Sequence, residues 1–413
     1  MQRNPSWLAV MLLVAGAAQA QTSPWYIGAA QTFTQESNIY RLADGVATPA
    51  GVNKSDTVSS TALLAGLDQP ISRQRLYGTA TLRANKYKNN DVLDNESYAL
   101  NAGLDWATVE RLSGNFDLSA DRSLAFFNTD TEIGLLTTKN VENSRRFAGT
   151  VRMGVVTQYT AEASVEHREV DYSAAEYAAR ENRQTTATLG LRWRPRGTNV
   201  FGLGLRHTSG KYPRFRDLGN GTFESDGFTR TGVDLSTGLE VGGASRIDAR
   251  VTLGRTRYDE ATQRDFSGVT GYAAWTWKPG AKLQLVTRLS RDDGQNSYFS
   301  GNPFLNGIID YSRTTSALGV SADYAATAKI RLKTGLRVAR RDLVRTLPAN
   351  SVLGSDASGS DTSTEFNFGA TWEPTRSVVL GCDLGVEKRS VSGDLSLPYG
   401  ARRFGCYGQI FLR

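Results

Sequence analysis

Histidine is nearly absent from this chain, and so are cysteine and methionine: two His, two Cys and three Met among 413 residues. With so few imidazoles and thiols, Zn-type ligand sets have little to be built from, and nothing in the spacing calls for a metal or a cofactor. His167 and His207 are the only candidate bases. Neither has an acidic orienter placed by spacing, so the sequence offers no catalytic constellation. Gly202-Leu203-Gly204 is not followed by a helical pattern, which removes the phosphate-cradle reading.

Long apolar runs are missing too. Only Leu8 to Ala17 approaches one, and it is too short to span a bilayer. Arg3 precedes that run, and Ala18-Gln19-Ala20 follows it with the small-x-small spacing cut by signal peptidase. Residues 1–20 are therefore read as a signal peptide and the mature chain as starting at Gln21. Loss of Arg3 takes the formal charge from +7 to +6. So mild an excess, with no dense Lys/Arg run, does not suit a nucleic-acid partner. Only 39% of residues are hydrophobic, which excludes a helical membrane protein but suits a barrel whose alternate residues face lipid.

What the chain does have is alternation. Tyr98, Leu100, Ala102, Leu104 and Trp106 are apolar, with Asn101, Gly103 and Asp105 between them. Ile330, Leu332, Leu336 and Val338 interleave with Arg331, Lys333, Gly335 and Arg337; Ile247, Ala249, Val251 and Leu253 do so with Asp248, Arg250 and Thr252. Side chains of a strand point alternately to opposite faces, so each segment has one greasy and one polar face.

The connections separate a barrel from a soluble sandwich. Tight turns are predicted near Asp68-Gln69-Pro70, Thr108-Val109-Glu110, Gln158-Tyr159, Pro195-Arg196-Gly197, Gly242-Gly243-Ala244, Pro279-Gly280, Ala326-Thr327 and Glu373-Pro374-Thr375. Longer polar connections alternate with them, among them Ala43 to Lys54, Asn128 to Glu142, Tyr212 to Glu224, Asp292 to Ile309 and Val344 to Ser360. Short periplasmic turns opposite long extracellular loops are the habit of outer-membrane barrels. The pattern predicts an all-β transmembrane antiparallel barrel of sixteen to eighteen strands, most simply eighteen, with both termini periplasmic. Trp106, Trp193, Trp277, Trp372 and Tyr324 precede short turns, while Tyr87, Tyr172 and Tyr258 run into long loops; two interfacial girdles are expected.

Charged residues out of parity with the apolar set should face inward, because a lipid-facing Arg or Lys at the midplane costs about 2–4 kcal/mol. The expected lining cations are Arg83, Arg152, Arg192, Arg206, Arg250, Arg288, Arg331, Lys333 and Arg337, joined by Asp105, Asp117, Asp234, Glu240, Asp323, Asp383 and Glu387. They serve equally as wall-filling ion pairs or as a basic aqueous lumen that favours anions. Cys382 and Cys406, on the last two expected strands, stand almost opposite each other; a cross-strand disulfide and two separate outward thiols both fit.

Glu36-Ser37-Asn38-Ile39-Tyr40-Arg41-Leu42, then Ser55-Asp56, Gly66-Leu67-Asp68, Ile71-Ser72-Arg73-Gln74-Arg75 and Leu104-Asp105-Trp106 come in an order that resembles the EpsL-like outer-membrane proteins of exopolysaccharide biosynthesis, within a broader β-barrel porin group. The resemblance covers the N-terminal third. It implies a part in polysaccharide export, with anionic polysaccharide and periplasmic or inner-membrane export components as partners, and supplies no catalytic residues. The last strand, Arg402 to Arg413, is similar to the signal read by the barrel-assembly machinery, although Arg413 replaces the usual aromatic end. Two further readings stand beside export: a diffusion porin constricted by Asn128 to Glu142 or Asp292 to Ile309, and an outer-membrane enzyme or adhesion barrel. Outer-membrane lipid is the surrounding medium in every case.

Overall fold

The computed structural model describes residues 23–125, 127, 137–155, 157–195, 198–260, 262, 265–292, 314–345, 357–393 and 395–413. The segment read as a signal peptide lies outside them. The described residues form eighteen strands: β1 (Trp25–Glu36), β2 (Asp56–Ile71), β3 (Gln74–Tyr87), β4 (Asn95–Ala107), β5 (Leu112–Leu124), β6 (Val141–Met153), β7 (Tyr159–Tyr172), β8 (Asn182–Trp193) and β9 (Val200–Gly219). The second half comprises β10 (Thr222–Val241), β11 (Ser245–Tyr258), β12 (Phe266–Trp277), β13 (Leu283–Asp292), β14 (Thr314–Ala325), β15 (Ile330–Arg345), β16 (Ala357–Thr375), β17 (Val378–Ser392) and β18 (Tyr399–Leu412). Each strand pairs antiparallel with its sequence neighbours, and β1 pairs with both β2 and β18, so the sheet closes with no free edge.

Closure makes the alternation three-dimensional. Leu63, Leu82, Val165, Leu189, Leu205, Leu289 and Leu336 are exposed on the outside, while their neighbours along each strand turn inward. The apolar belt is thus on the outer surface, and the inner wall is polar. Trp193, Trp275, Tyr324 and Trp372 are exposed on the outer face at the short-turn end, and Trp277 stacks beside Trp275 at 5.9 Å. These rings form the girdle expected there.

The second girdle is corrected. Tyr87, Tyr172 and Tyr258 share the inward parity, and Tyr172 and Tyr258 are buried. Each packs inside the long-loop end of the barrel: Tyr87 beside Leu93, Tyr172 on Tyr177, and Tyr258 on Phe228. A tyrosine at a strand end is amphipathic enough to cap either face, and here the apolar partners lie inside, on inward loop segments for Tyr87 and Tyr172 and on β10 for Tyr258.

Three connections also differ from expectation. The Tyr212 to Glu224 stretch is no loop but the tip of a long hairpin, β9–β10, turning at Asn220 (φ 55°) and Gly221 (φ 75°). Two successive positive φ values match the twist of paired strands. β2 runs on through Pro70 to Ile71, and β16 continues to Thr375 across an irregular pairing after Trp372. Both turns therefore fall a few residues later than the proline-containing segments suggested.

Inside the barrel several aromatic rings lie over glycines on the neighbouring strand. Tyr77 stands in register with Gly103, Tyr26 with Gly66, and Tyr407 with Gly381. A Cβ at Gly103 would come within 2.2 Å of the Tyr77 hydroxyl. Glycine is what lets these large inward rings lie against the wall instead of crossing the lumen.

Candidate functional site

The long-loop end is partly filled by segments folded inward from the loops. After β1 the chain places Ile39, Tyr40 and Leu42 against Leu93 and Phe127, with Val52, Tyr87 and Leu124 around them. Tyr40 and Phe127 rings meet at 4.6 Å. Asn38 fixes this turn: its amide donates to the Leu42 carbonyl (2.7 Å) and the Gly400 carbonyl (2.9 Å), and its oxygen accepts the Leu42 N–H (2.9 Å). Asp56, fully buried, accepts backbone N–H groups of Thr57, Lys88, Asn89 and Asn90 between 2.7 and 3.0 Å. A carboxylate with that many donors can stay buried without a cation. Beside this node the short helical segment Ala175–Arg180 turns Tyr177 onto Tyr172.

The loops expected to constrict the lumen fall largely elsewhere: residues 128–136 and 293–313 lie outside the described residues. Among the described ones the inward elements are the first loop and the short helical segment Ala175–Arg180. The apolar Ile39, Tyr40 and Leu42, in the middle of the first loop, were the legible signal.

Below this end the inner wall is charged. Tyr77 donates to Asp117 at 2.6 Å, Arg152 donates to Asn115 (2.8 Å) and Glu162 (2.9 Å), and Arg192 donates to Glu162 at 3.1 Å. One network therefore crosses the inner face from β3 to β8. Arg206 binds Asp234 at 3.1 Å, and Thr252 donates to the other oxygen of that carboxylate at 2.7 Å. Arg331 and Lys333 share Asp323 at 3.7 and 3.9 Å, and Arg337 reaches Glu365 at 3.3 Å.

Three of the nine lining cations differ. Arg83, Arg250 and Arg288 have no carboxylate partner among the described residues. Arg250 stands directly opposite Tyr272 in the β11–β12 ladder, and the Arg288 guanidinium lies 4.1 Å from the centre of that same ring. Two cations thus flank one phenol, and the inward acid nearest them on β11, Asp248, is held by Arg246. Glu162, Glu365 and Tyr272, which complete these arrangements, were not singled out from the sequence. Their inward parity could have shown them.

Cys382 and Cys406 pair directly across β17 and β18 and are joined by a disulfide, with Cα atoms 4.0 Å apart. Both belong to the outward-facing set. His167 and His207 also face outward; His167 Nδ1 lies 2.9 Å from Thr185 Oγ1.

The segments that carry the family resemblance meet in space at the two ends of the first strands. At the long-loop end Arg41 joins Glu36 and Glu387. At the short-turn end Arg75 donates to Asp68 at 2.6 Å and lies 4.0 Å from Asp105.

Neither a scan of protein-family models nor a search of curated proteins finds a match. Solved structures are similar to this chain at low identity. The outer membrane protein opdK from Pseudomonas aeruginosa is 13% identical with a TM-score of 0.48, covering 94% of this chain and 99% of its own. OccK2 (OpdF) from the same organism is 12% identical at 0.49, covering 94% and 98%. The siderophore receptor PirA from Acinetobacter baumannii is 6% identical at 0.43, covering 95% and 81%. A closed eighteen-stranded sheet with an apolar outer belt and a charged inner wall makes this chain a porin-like β-barrel of the outer membrane.

Proposed function

We propose that the barrel is an aqueous channel for small anionic solutes, with its short turns and both termini in the periplasm. The observation that carries this reading is the Arg250–Tyr272–Arg288 group, two inward cations without an ion-pair partner among the described residues, the neighbouring Asp248 being held by Arg246. A wall that served only to fill space would pair its charges, as the Arg152–Glu162–Arg192 network does. Unpaired guanidinium groups attract carboxylates and phosphates, and distributed weak contacts let a solute leave again. The test is conductance of the refolded barrel in a planar bilayer under a salt gradient. A steady current with an anion-directed reversal potential is expected; a silent barrel or cation preference would overturn the reading.

A second reading, export of an acidic polysaccharide with periplasmic and inner-membrane partners, rests on the resemblance. It is supported by the way Glu36, Arg41, Asp68, Arg75 and Asp105 gather into two ion-pair groups at opposite ends of the same strands. Added acidic polysaccharide should block the current under this reading and leave it unchanged under simple diffusion.

A further inference from the structure

The outer surface of β6–β9 carries a row of charges aligned by the ladder. Arg145 stands opposite Glu169, Glu169 opposite Arg183, and Arg183 opposite Lys211. All four share the outward parity of Val165 and Leu189. In the next row Arg122 and Asp171 stand on either side of Asn143. Glu169 holds Arg183 at 3.5 Å. Arg122, Arg145 and Lys211 have no carboxylate partner among the described residues. Like charges directly opposite in a ladder repel; Glu169 can neutralise only one of the cations beside it and is held by Arg183, so Lys211 and Arg145 are left without a counter-charge from the barrel.

Height on the barrel decides where that counter-charge comes from. Arg183 lies ten positions along β8 from the girdle residue Trp193. At about 3.3 Å per residue and a tilt of about 40°, ten residues climb roughly 25 Å, the height of the apolar belt of an outer-membrane barrel. The row therefore stands at the headgroup level of the leaflet farther from the termini. Below it the same strands present Val165 and Leu189 to acyl chains.

We propose that this row binds the phosphates on the sugar headgroup of an anionic glycolipid in the outer leaflet. A phosphate monoester offers about two negative charges and three acceptor oxygens, which suits the adjacent Arg183 guanidinium and Lys211 ammonium, while Arg145, on the far side of Glu169, is placed for a second phosphate of the same headgroup. Acyl chains of the same lipid lie on the apolar rows beneath. Placing the row in the outer leaflet rests on the orientation given under Proposed function; the affinity for phosphate does not.

The test is native mass spectrometry of the full barrel in zwitterionic detergent, titrated with bisphosphorylated lipid A. Discrete adducts are expected, weakened about thirtyfold in Arg183→Gln/Lys211→Gln, at the usual worth of two interfacial cations. Dephosphorylated lipid A should bind both proteins equally weakly. Resistance of the barrel to SDS at room temperature checks folding, and Arg145→Gln, expected to weaken binding about fivefold, serves if the double variant does not fold. Unchanged affinity in a folded variant, or equal affinity for the dephosphorylated lipid, would overturn the proposal. Labelling of Asn220→Cys on intact cells by an impermeant maleimide tests the orientation separately: without labelling the orientation fails, and the outer-leaflet assignment with it.

Discussion

Arg41, in the loop that follows β1, donates from Nε to the Glu387 carboxylate on β17 at 3.0 Å, across 346 positions of sequence. Its Nη1 also binds Glu36. Burial disfavours the guanidinium charge, yet Glu36 and Glu387 together hold its pKa above the ordinary arginine value. The backbone opposes this placement, since Arg41 has φ 57°. A left-handed non-glycine residue costs about 1–2 kcal/mol. The ion pairs outweigh that cost and pin the first loop across the β1–β18 seam to β17.

Two substitutions separate these terms. Arg41→Ala strands two partly buried carboxylates, a loss of about 3–5 kcal/mol. The cost should appear as local release of the loop, because the strand ladder does not depend on it. Arg41→Gly loses the same pairs but recovers about 1 kcal/mol of backbone strain. Hydrogen exchange of the Ile39 and Leu42 amides, bonded to Lys54 and Asn38, should therefore accelerate in both variants and less in the glycine one. Wild-type protection in Arg41→Ala would refute the pinning.

Gly103→Ala should displace the Tyr77 ring, since the new methyl would stand 2.2 Å from its hydroxyl. That hydroxyl then loses Asp117, at about 1.5–3 kcal/mol for a hydrogen bond to a charged group. Gly335→Ala is the control: only the Val320 carbonyl lies near its Cβ, at 3.9 Å. Urea midpoints in micelles should fall for the first and hold for the second.

The strand framework was legible because one rule, alternation, acts on every residue of a closed sheet. Parity placed Arg152, Arg206 and Arg337 on the inner face, but nothing local in sequence names Glu162, Asp234 or Glu365 as partners, since those contacts depend on register. Tyr87 and Tyr258 were expected in an outer girdle although they share parity with Arg83 and Arg250; position at a strand end was weighed above face. The β9–β10 tip read as a loop because its residues are polar, while its Asn220-Gly221 dipeptide is the hairpin signal. The path of the first loop was the least legible, since Arg41 finds its partner on the seventeenth strand.

The Cys382–Cys406 bridge closes a loop of sequence separation 24 at the last hairpin. Restricting the unfolded chain over that length is worth about 3 kcal/mol in the chain-entropy account. Cys382→Ala/Cys406→Ala should therefore still form a barrel, because the β17–β18 ladder is intact without it, but should unfold at lower urea. Equal midpoints for oxidised wild type and the double variant would show that the unfolded hairpin is already constrained.

Neutralising lining cations should matter according to whether they are already paired. Arg152→Gln leaves Glu162 with Arg192 at 3.0 Å, so that stretch of wall changes from a net cation to neutral without exposing a lone carboxylate. Arg250→Gln/Arg288→Gln removes both unpaired charges around Tyr272, and its reversal potential should shift toward cations by more than that of Arg152→Gln. Salt tells how these arginines act. The Debye length is about 10 Å at 0.1 M and 3 Å at 1 M, so an effect exerted through the field of an open lumen should largely vanish between those concentrations. A shift that survives 1 M salt would instead require direct contact between the guanidinium groups and the passing anion, and would place the narrowest part of the path beside Tyr272.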